Sequence, residues 1–165
     1  AIFQDFMLYN TSAHDNIWYG NLSENSDIER IQLAAQKSGI APVFEKLKDG
    51  YDTELGNLFP NSEMLSQGEW QRTALARSFY SKARIIILDE PTSSLDAFTE
   101  ASLIDNFRDI TQGRTAIIIS HRLSTIRMAD RIIVLNNKKI AEIGTFDELM
   151  SQQGFLFSMV ENLNK

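Results

Sequence analysis

An α/β fold with a parallel sheet follows from three observations on this 165-residue chain. Short apolar runs of strand length occur at 85–88 (IIIL), 115–119 (TAIII) and 132–135 (IIVL). Stretches with apolar residues at helical spacing separate them, and turn or capping residues punctuate the junctions. Strands that alternate with helices pair in parallel, and here a helical segment at about 12–80 precedes the sheet.

Each element has a local reason. The opening residues, Ala1-Ile2-Phe3-Gln4, are strand-like, and 5–25 is a loop rich in aromatics, Asn and Ser with a helical turn near 15–19. Ser26-Asp27-Ile28-Glu29 has the pattern of a capping box; Ile28, Ile31 and Ala35 continue it at helical spacing until Gly39. Pro42 at a first helical position starts a short helix with Val43, Phe44 and Leu47 that Gly50 ends, and 51–64 is a loop. Ser66-Gln67-Gly68-Glu69 repeats the capping pattern ahead of a helix to about Ser81, with Leu75, Ala76 and Phe79 on one face. The run at 85–88 is expected to be a parallel strand covered on both faces. Asp96 is a good N-cap for the helix carrying Leu103, Phe107 and Ile110, which stops at Gly113. After the second strand a short helix covers about 123–128, Asn136-Asn137 forms a hairpin turn, and Thr145-Phe146-Asp147-Glu148 is a further capping box. A final helix at 155–163 buries Leu156, Val160 and Leu163.

Composition narrows the function. A formal charge of −6 argues against a nucleic-acid binder held by phosphate contacts, and no Lys/Arg cluster is dense enough for a membrane-surface patch. Without Cys there are neither disulfides nor thiolate metal sites, which fits a reducing compartment. No apolar run approaches a membrane span and no signal peptide is visible. A first residue other than Met, already in strand-like sequence, reads as part of a longer chain.

In open α/β sheets ligands bind beyond the carboxyl ends of strands. Gln4, Asp89-Glu90, the 93–96 turn (Ser93, Ser94, Leu95, Asp96) and His121 meet that condition. Asp89-Glu90 is the strongest signal, because two acids after a buried run and before Pro are costly to desolvate without a purpose. Pro91 should keep Glu90 extended, so that the two carboxylates address different targets, one a metal-bound water and the other an attacking water. The bland alternative is a pair of solvated loop acids. For Ser66 to Glu69 a capping box accounts for Ser66 and Glu69, but not for Gly68, which lets something approach the backbone; an anion at the helix end is one reading, capping alone the other. Trp70 reads as packing. His121 is either a helix-entry residue or catalytic, His14 has weaker claims, and Gln4 in isolation says little.

As an ordered set these residues resemble the ATP-binding cassette (ABC) ATPases: a Q-loop in IFQDF, the signature as LSQGE, Walker B as IIILDE, a D-loop as SSLD, the switch histidine in ISHR, then EIGTFDELM. The resemblance implies a P-loop NTPase-like parallel sheet with an α-helical subdomain, divided as Q-loop strand and loop (1–11), helical subdomain (12–81) and RecA-like core (82–165). It implies ATP and Mg²⁺ as cofactors, with Asp89 and Gln4 holding the metal partly through water. Glu90 would polarise the attacking water, and His121 would sense the γ-phosphate. Two cassettes would dimerise head to tail, so that Ser66, Gln67, Gly68 and Glu69 reach ATP on the partner while Ser93 to Asp96 communicates between sites. Gln67 and Glu69 depart from the usual LSGGQ, and Glu69 adds negative charge near a phosphate.

No G-x-x-x-x-G-K-[ST] occurs, so the Walker A loop is expected upstream, the fragment alone is not expected to be a competent ATPase, and the core sheet is expected to lack a strand between those at 115–119 and 132–135. The interval from Gln4 to Ser66 is far too short for the coiled coil of chromosome-maintenance relatives, and the lack of Cys disfavours the zinc-bearing excision-repair relatives. GYDTELG at 50–56 is similar to the loop before the signature in exporters, and Phe6, Leu8 and Tyr9 either line a groove for a coupling helix or anchor the loop. The resemblance therefore implies part of an exporter's ATP-hydrolysing subunit, on the cytoplasmic side of a membrane, partnered by transmembrane domains and a second nucleotide-binding domain and by no nucleic acid. The alternatives are a non-hydrolysing ABC-like module and a soluble ABC ATPase.

Overall fold

The elements run α1 (Ala13–Trp18), α2 (Ile28–Ser38), α3 (Ala41–Phe44), a 3-10 turn (Gly50–Asp52), α4 (Gln67–Tyr80), β1 (Ile85–Asp89), α5 (Ala97–Thr111), β2 (Thr115–Ile119), α6 (Leu123–Met128), β3 (Ile132–Asn136), β4 (Lys139–Gly144), α7 (Phe146–Gln152) and α8 (Phe155–Leu163). They belong to a computed structural model that describes residues 5–163. The chain divides into two units, Ala1–Ile119 and Ser120–Lys165. The mixed α/β class expected from the strand and helix patterns is the one observed.

In the first unit, side-chain caps set the helix starts. Asp27, one residue later than the Ser26 expected from the capping pattern, accepts from the Arg30 N–H at the head of α2, and Gly39 closes that helix at φ 75°. An aspartate oxygen can satisfy the free N–H group two or three residues on, so the acid displaces the serine as cap. Ser66 and Glu69 form the full capping box of α4, and Asp96 accepts from the N–H groups of Phe98 and Thr99 at the head of α5. The helix after Gly39 ends at Phe44 rather than running to Gly50; it starts at Ala41, which puts Pro42 at its second position. Residues 51–64 are held as a loop by isolated bridges, Ser12 to Glu54 and Leu55 to Glu63.

Helices α1, α2 and α4 interlock through Ile17, Ile31, Ala35, Leu75 and Ala76, all fully buried. A methyl at Gly20 would lie 2.1 Å from the Arg77 carbonyl oxygen, so the exit of α1 rests directly on the α4 backbone. Strands β1 and β2 pair in parallel, from Ile85 opposite Thr115 to Asp89 opposite Ile119, which sets their carboxyl ends level. Ile86 and Leu88 are buried while Ile85, Ile117 and Ile119 are about half exposed. The expectation of a strand covered on both faces is thus corrected. Side chains alternate between faces, and the described residues cover one of them.

The second unit is the β3–β4 antiparallel hairpin with α6, α7 and α8, around Ile126, Leu149, Leu156 and Val160. Its turn is Asn137-Lys138, at φ 48° and 61°, one residue later than expected; two left-handed residues match the strand twist of a two-residue hairpin. Thr145 and Glu148 cap α7 reciprocally. The cap of α8 comes from a distance in sequence: the Glu142 carboxylate on β4 accepts from the N–H groups of Phe155 and Leu156. Glu142→Ala should therefore cost about 1 kcal/mol, read as a lower urea midpoint with unchanged m-value.

Candidate functional site

Helix α4 begins beside the turn that follows β1. Ser66, Gln67, Gly68, Glu69 and Arg72 from one side and Ser93, Ser94, Leu95 and Asp96 from the other line a single open cleft of about 590 Å³. The two segments lie against each other at Gly68. A Cβ there would sit 2.8 Å from the Ser94 carbonyl oxygen. The close approach that Gly68 permits within the chain is that of the 93–96 turn.

At the head of α4 the Glu69 carboxylate accepts from both the Ser66 N–H and the Ser66 hydroxyl, each at 2.7 Å. Burial pushes the Glu69 carboxyl up, but those two hydrogen bonds and the nearby Arg72 charge outweigh it, and its pKa lies below the ordinary 4.5. A depressed folded-state pKa contributes stability that is present above the unfolded value and lost as pH falls through the folded one. The stability advantage of the wild-type chain over Glu69→Leu should hold above pH ~5 and shrink through the acid range below ~4.5, measured as thermal midpoints across pH. Asp96 also titrates low, because the Thr99 hydroxyl and the Thr99 and Phe98 N–H groups donate to it.

Asp89 ends β1, half-buried, and the Glu90 N–H extends the ladder by donating to the Ile119 carbonyl at 2.9 Å. Glu90 itself is not extended: its φ is 48°. Pro91 disfavours the right-handed helical region for the preceding residue, yet backbone contacts pull Glu90 into the left-handed one, a conformation that costs a non-glycine residue roughly 1–2 kcal/mol. Its carbonyl accepts from the Ser93 N–H at 3.1 Å and from Gln71 Nε2 at 3.0 Å. Strain of this kind persists where surrounding contacts over-determine it.

Gln71 was not singled out from the sequence. It is buried on α4, donating to the Glu90 carbonyl and to Ser93 Oγ (3.1 Å) and accepting from the Ser94 N–H (3.0 Å). The signal that could have found it is a polar residue placed three and four positions before Ala74 and Leu75, on the apolar face of the helix. Trp70 is buried and packs, as expected. Arg77 and Asn16 also escaped notice. Asn16 donates to the carbonyls of Tyr9, Thr11 and Ser12, while Arg77 donates to Asn16 and to the Met7 carbonyl and stacks over the Tyr9 ring.

Of the remaining candidates, Gln4 lies outside the described residues. His121 is exposed in the extended segment after β2, in the second unit. His14 is hydrogen-bonded to Asp15 on α1. Met7 and Leu8, in the loop after Gln4, are exposed. No helix among the described residues is long and apolar enough to cross a membrane.

Strand β1 thus ends in Asp89 with Glu90 next to it, and a capped helix and a turn line one cleft beside that end, where open α/β sheets bind ligands. The ABC transporter family profile matches residues 1–93, more than half of the chain. An ATP-dependent lipid A-core flippase of Alkalilimnicola ehrlichii is 41% identical over 156 residues, covering 94% of this chain and 26% of that protein. A beta-(1-->2)glucan export ATP-binding/permease protein NdvA of Rhodopseudomonas palustris is 42% identical over 154 residues, covering 93% of this chain and 25% of that protein. Among solved structures, a bacterial Atm1-family ABC exporter with ATP bound superimposes with a TM-score of 0.87 at 35% identity, covering 99% of this chain and 28% of the other. This chain belongs to the ABC transporter family, and it spans about a quarter of the length of the curated relatives it matches.

Proposed function

We propose that this chain is part of the ATP-binding and hydrolysing subunit of an exporter, and that the longer protein couples ATP hydrolysis to transport across a membrane. The observation that carries this is the cleft in which the signature segment, Ser66 to Glu69, and the D-loop, Ser93 to Asp96, stand together, with Glu90 tied to both through Gln71. In that reading residues 12–81 are the helical subdomain between a Q-loop segment at 1–11 and a core at 82–165.

The donor chemistry supports a hard divalent cation. Asp89 offers a carboxylate oxygen at a strand end. Mg²⁺ is ordinarily held by one or two carboxylates, waters and substrate phosphates, which this set fits. Asp89, with Gln4, would hold it, and bound there it would neutralise charge on the phosphates. Glu90 orients and polarises the attacking water, and His121 donates to the γ-phosphate. Across a head-to-tail pair of domains, the Ser66 hydroxyl and the N–H groups at the head of α4 face the ATP of the second domain. The partners are that second domain and transmembrane domains on the cytoplasmic side of the membrane.

The test is Mg²⁺-dependent phosphate release from ATP by the full-length protein in detergent or liposomes. Turnover at ~1 s⁻¹ or above, the low end of common enzyme rates, is the expected result. ATP binding without phosphate release would instead point to a non-hydrolysing module, and failure to bind ATP would sink the reading.

A further inference from the structure

Polar side chains buried among apolar ones need a reason, and Gln71 has an unusual one. The residue is only 4% exposed, and its amide reaches the backbone of one residue and both the side chain and the backbone of the next turn. The contacts fix the orientation of the amide. Nε2 meets two acceptors, the Glu90 carbonyl and Ser93 Oγ, whereas Oε1 meets a donor, the Ser94 N–H. A flipped amide would set oxygen against oxygen and N–H against N–H.

We infer that Gln71 is a positioning residue for the proposed hydrolysis: its amide holds the Glu90 backbone at positive φ and ties it to the 93–96 turn, so that the cleft at the head of α4 and the general base move as one body. This rests on the function proposed above. Three facts converge on it. Glu90 is one of five non-glycine residues at positive φ among those described, and its carbonyl takes two hydrogen bonds, one of them from Gln71. Rotation of Glu90 toward an extended conformation would turn that carbonyl away from both donors. Ser94, whose N–H the amide oxygen accepts, is also the residue whose carbonyl packs against Gly68, so the chain of contact runs from Gly68 through Ser94 and Gln71 to Glu90. Only a neutral side chain with a donor and an acceptor at this reach satisfies all three partners. Glutamate would set a carboxylate oxygen against the Glu90 carbonyl, and methionine fills the volume but bonds to none of the three.

The experiment uses the full-length protein with Gln71→Met and Gln71→Glu, measuring kcat and KM for ATP, equilibrium binding of a fluorescent ATP analogue, and the thermal midpoint. A displacement of the base by about an ångström costs on the order of 10²-fold in rate. The expected result is a fall in kcat of ~10-fold to 100-fold in both variants, with KM and analogue binding within threefold of wild type. A packing role would not produce that split, since partial unfolding lowers the amount of active protein and of binding sites together. Unchanged kcat in folded variants, or loss of binding in step with kcat in both, overturns the inference. The wild-type control keeps the two claims apart: if wild type turns over and the Gln71 variants match it, the positioning role fails and the proposed function stands. If wild type hydrolyses no ATP, the function itself fails.

Discussion

In the full-length protein Glu90→Gln should lower ATP turnover by about 10²- to 10⁴-fold while leaving ATP binding within a few-fold of wild type, the range expected when a general base is removed. The substitution is nearly isosteric, and the contacts that set the local backbone are unaffected by it. The Glu90 N–H still donates to Ile119, and the carbonyl still accepts from Ser93 and Gln71. What is lost is the negative charge, and with it the ability to take or polarise a proton of water. Asp89→Asn gives a useful contrast. It lies one residue earlier, at the last rung of the β1–β2 ladder, and in the proposed role its loss weakens the response to Mg²⁺ rather than the base. Phosphate release measured against Mg²⁺ concentration separates the two: a shifted Mg²⁺ requirement in the Asp89 variant and a depressed plateau in the Glu90 variant. Wild-type turnover in Glu90→Gln would remove Glu90 from the chemistry.

Arg77→Leu should destabilise the first unit by about 3 kcal/mol, with loss of a partly buried, hydrogen-bonded charge and several acceptors left without donors. Burial pulls the pKa of this guanidinium below its ordinary value, as expected of a desolvated cation. Its partners are neutral: the Asn16 carbonyl at 2.7 Å, Asn16 Oδ1 at 3.0 Å, the Met7 carbonyl at 3.2 Å, and the Tyr9 ring, whose centroid is 4.4 Å from the guanidinium carbon. Asn16, fully buried, then hands the connection on to the carbonyls of Tyr9, Thr11 and Ser12. For a chain of this size the cost corresponds to a fall of roughly 6–12 °C in thermal midpoint. Arg77→Lys should recover part of it, since an ammonium keeps the charge but cannot span Asn16 and Met7 in a planar fork. A drop below 1 kcal/mol for Arg77→Leu would show that segment 7–12 holds its place by other means.

The two predictions draw on different depths of legibility. Features written in neighbouring residues were readable in advance. Ser66 with Glu69 and Thr145 with Glu148 are reciprocal caps whose members sit three apart, and the structure builds both. Asp96 heads α5 for the same reason, and β-branched runs at 85–88 and 115–119 pair as strands. Ser26 misled because Asp27 competes for the same N–H groups one step later, a choice decided by the backbone conformation on entering the helix. Pro91 misled more instructively. Its local preference bears on Glu90, but Glu90 is held by Gln71, Ser93 and Ile119, and two of those lie 19 or more positions away. The partners of Gln71, Arg77 and Asn16 were hidden for a related reason, even where the position of Gln71 on an apolar helix face hinted at burial. Each is an unremarkable polar residue until the chain brings its partners to it: the hydrogen-bond partners of Gln71 and Arg77 lie 19 to 70 positions away, and Asn16 joins Arg77 at a separation of 61 to carbonyls four to seven positions from itself.

The missing Cβ at residue 68 bears on how such a motif can be transplanted. A chimaera that grafts a 65–69 segment with a side chain at position 68 onto the present 93–96 turn would meet the Ser94 carbonyl at 2.8 Å and distort the turn, whatever the chemistry of the graft. Residues 65–69 and 93–96 are therefore best exchanged between relatives as one cassette. A library that randomised positions 68 and 94 separately would recover few functional clones, and one that varied the two loops together would reveal which pairings the scaffold accepts.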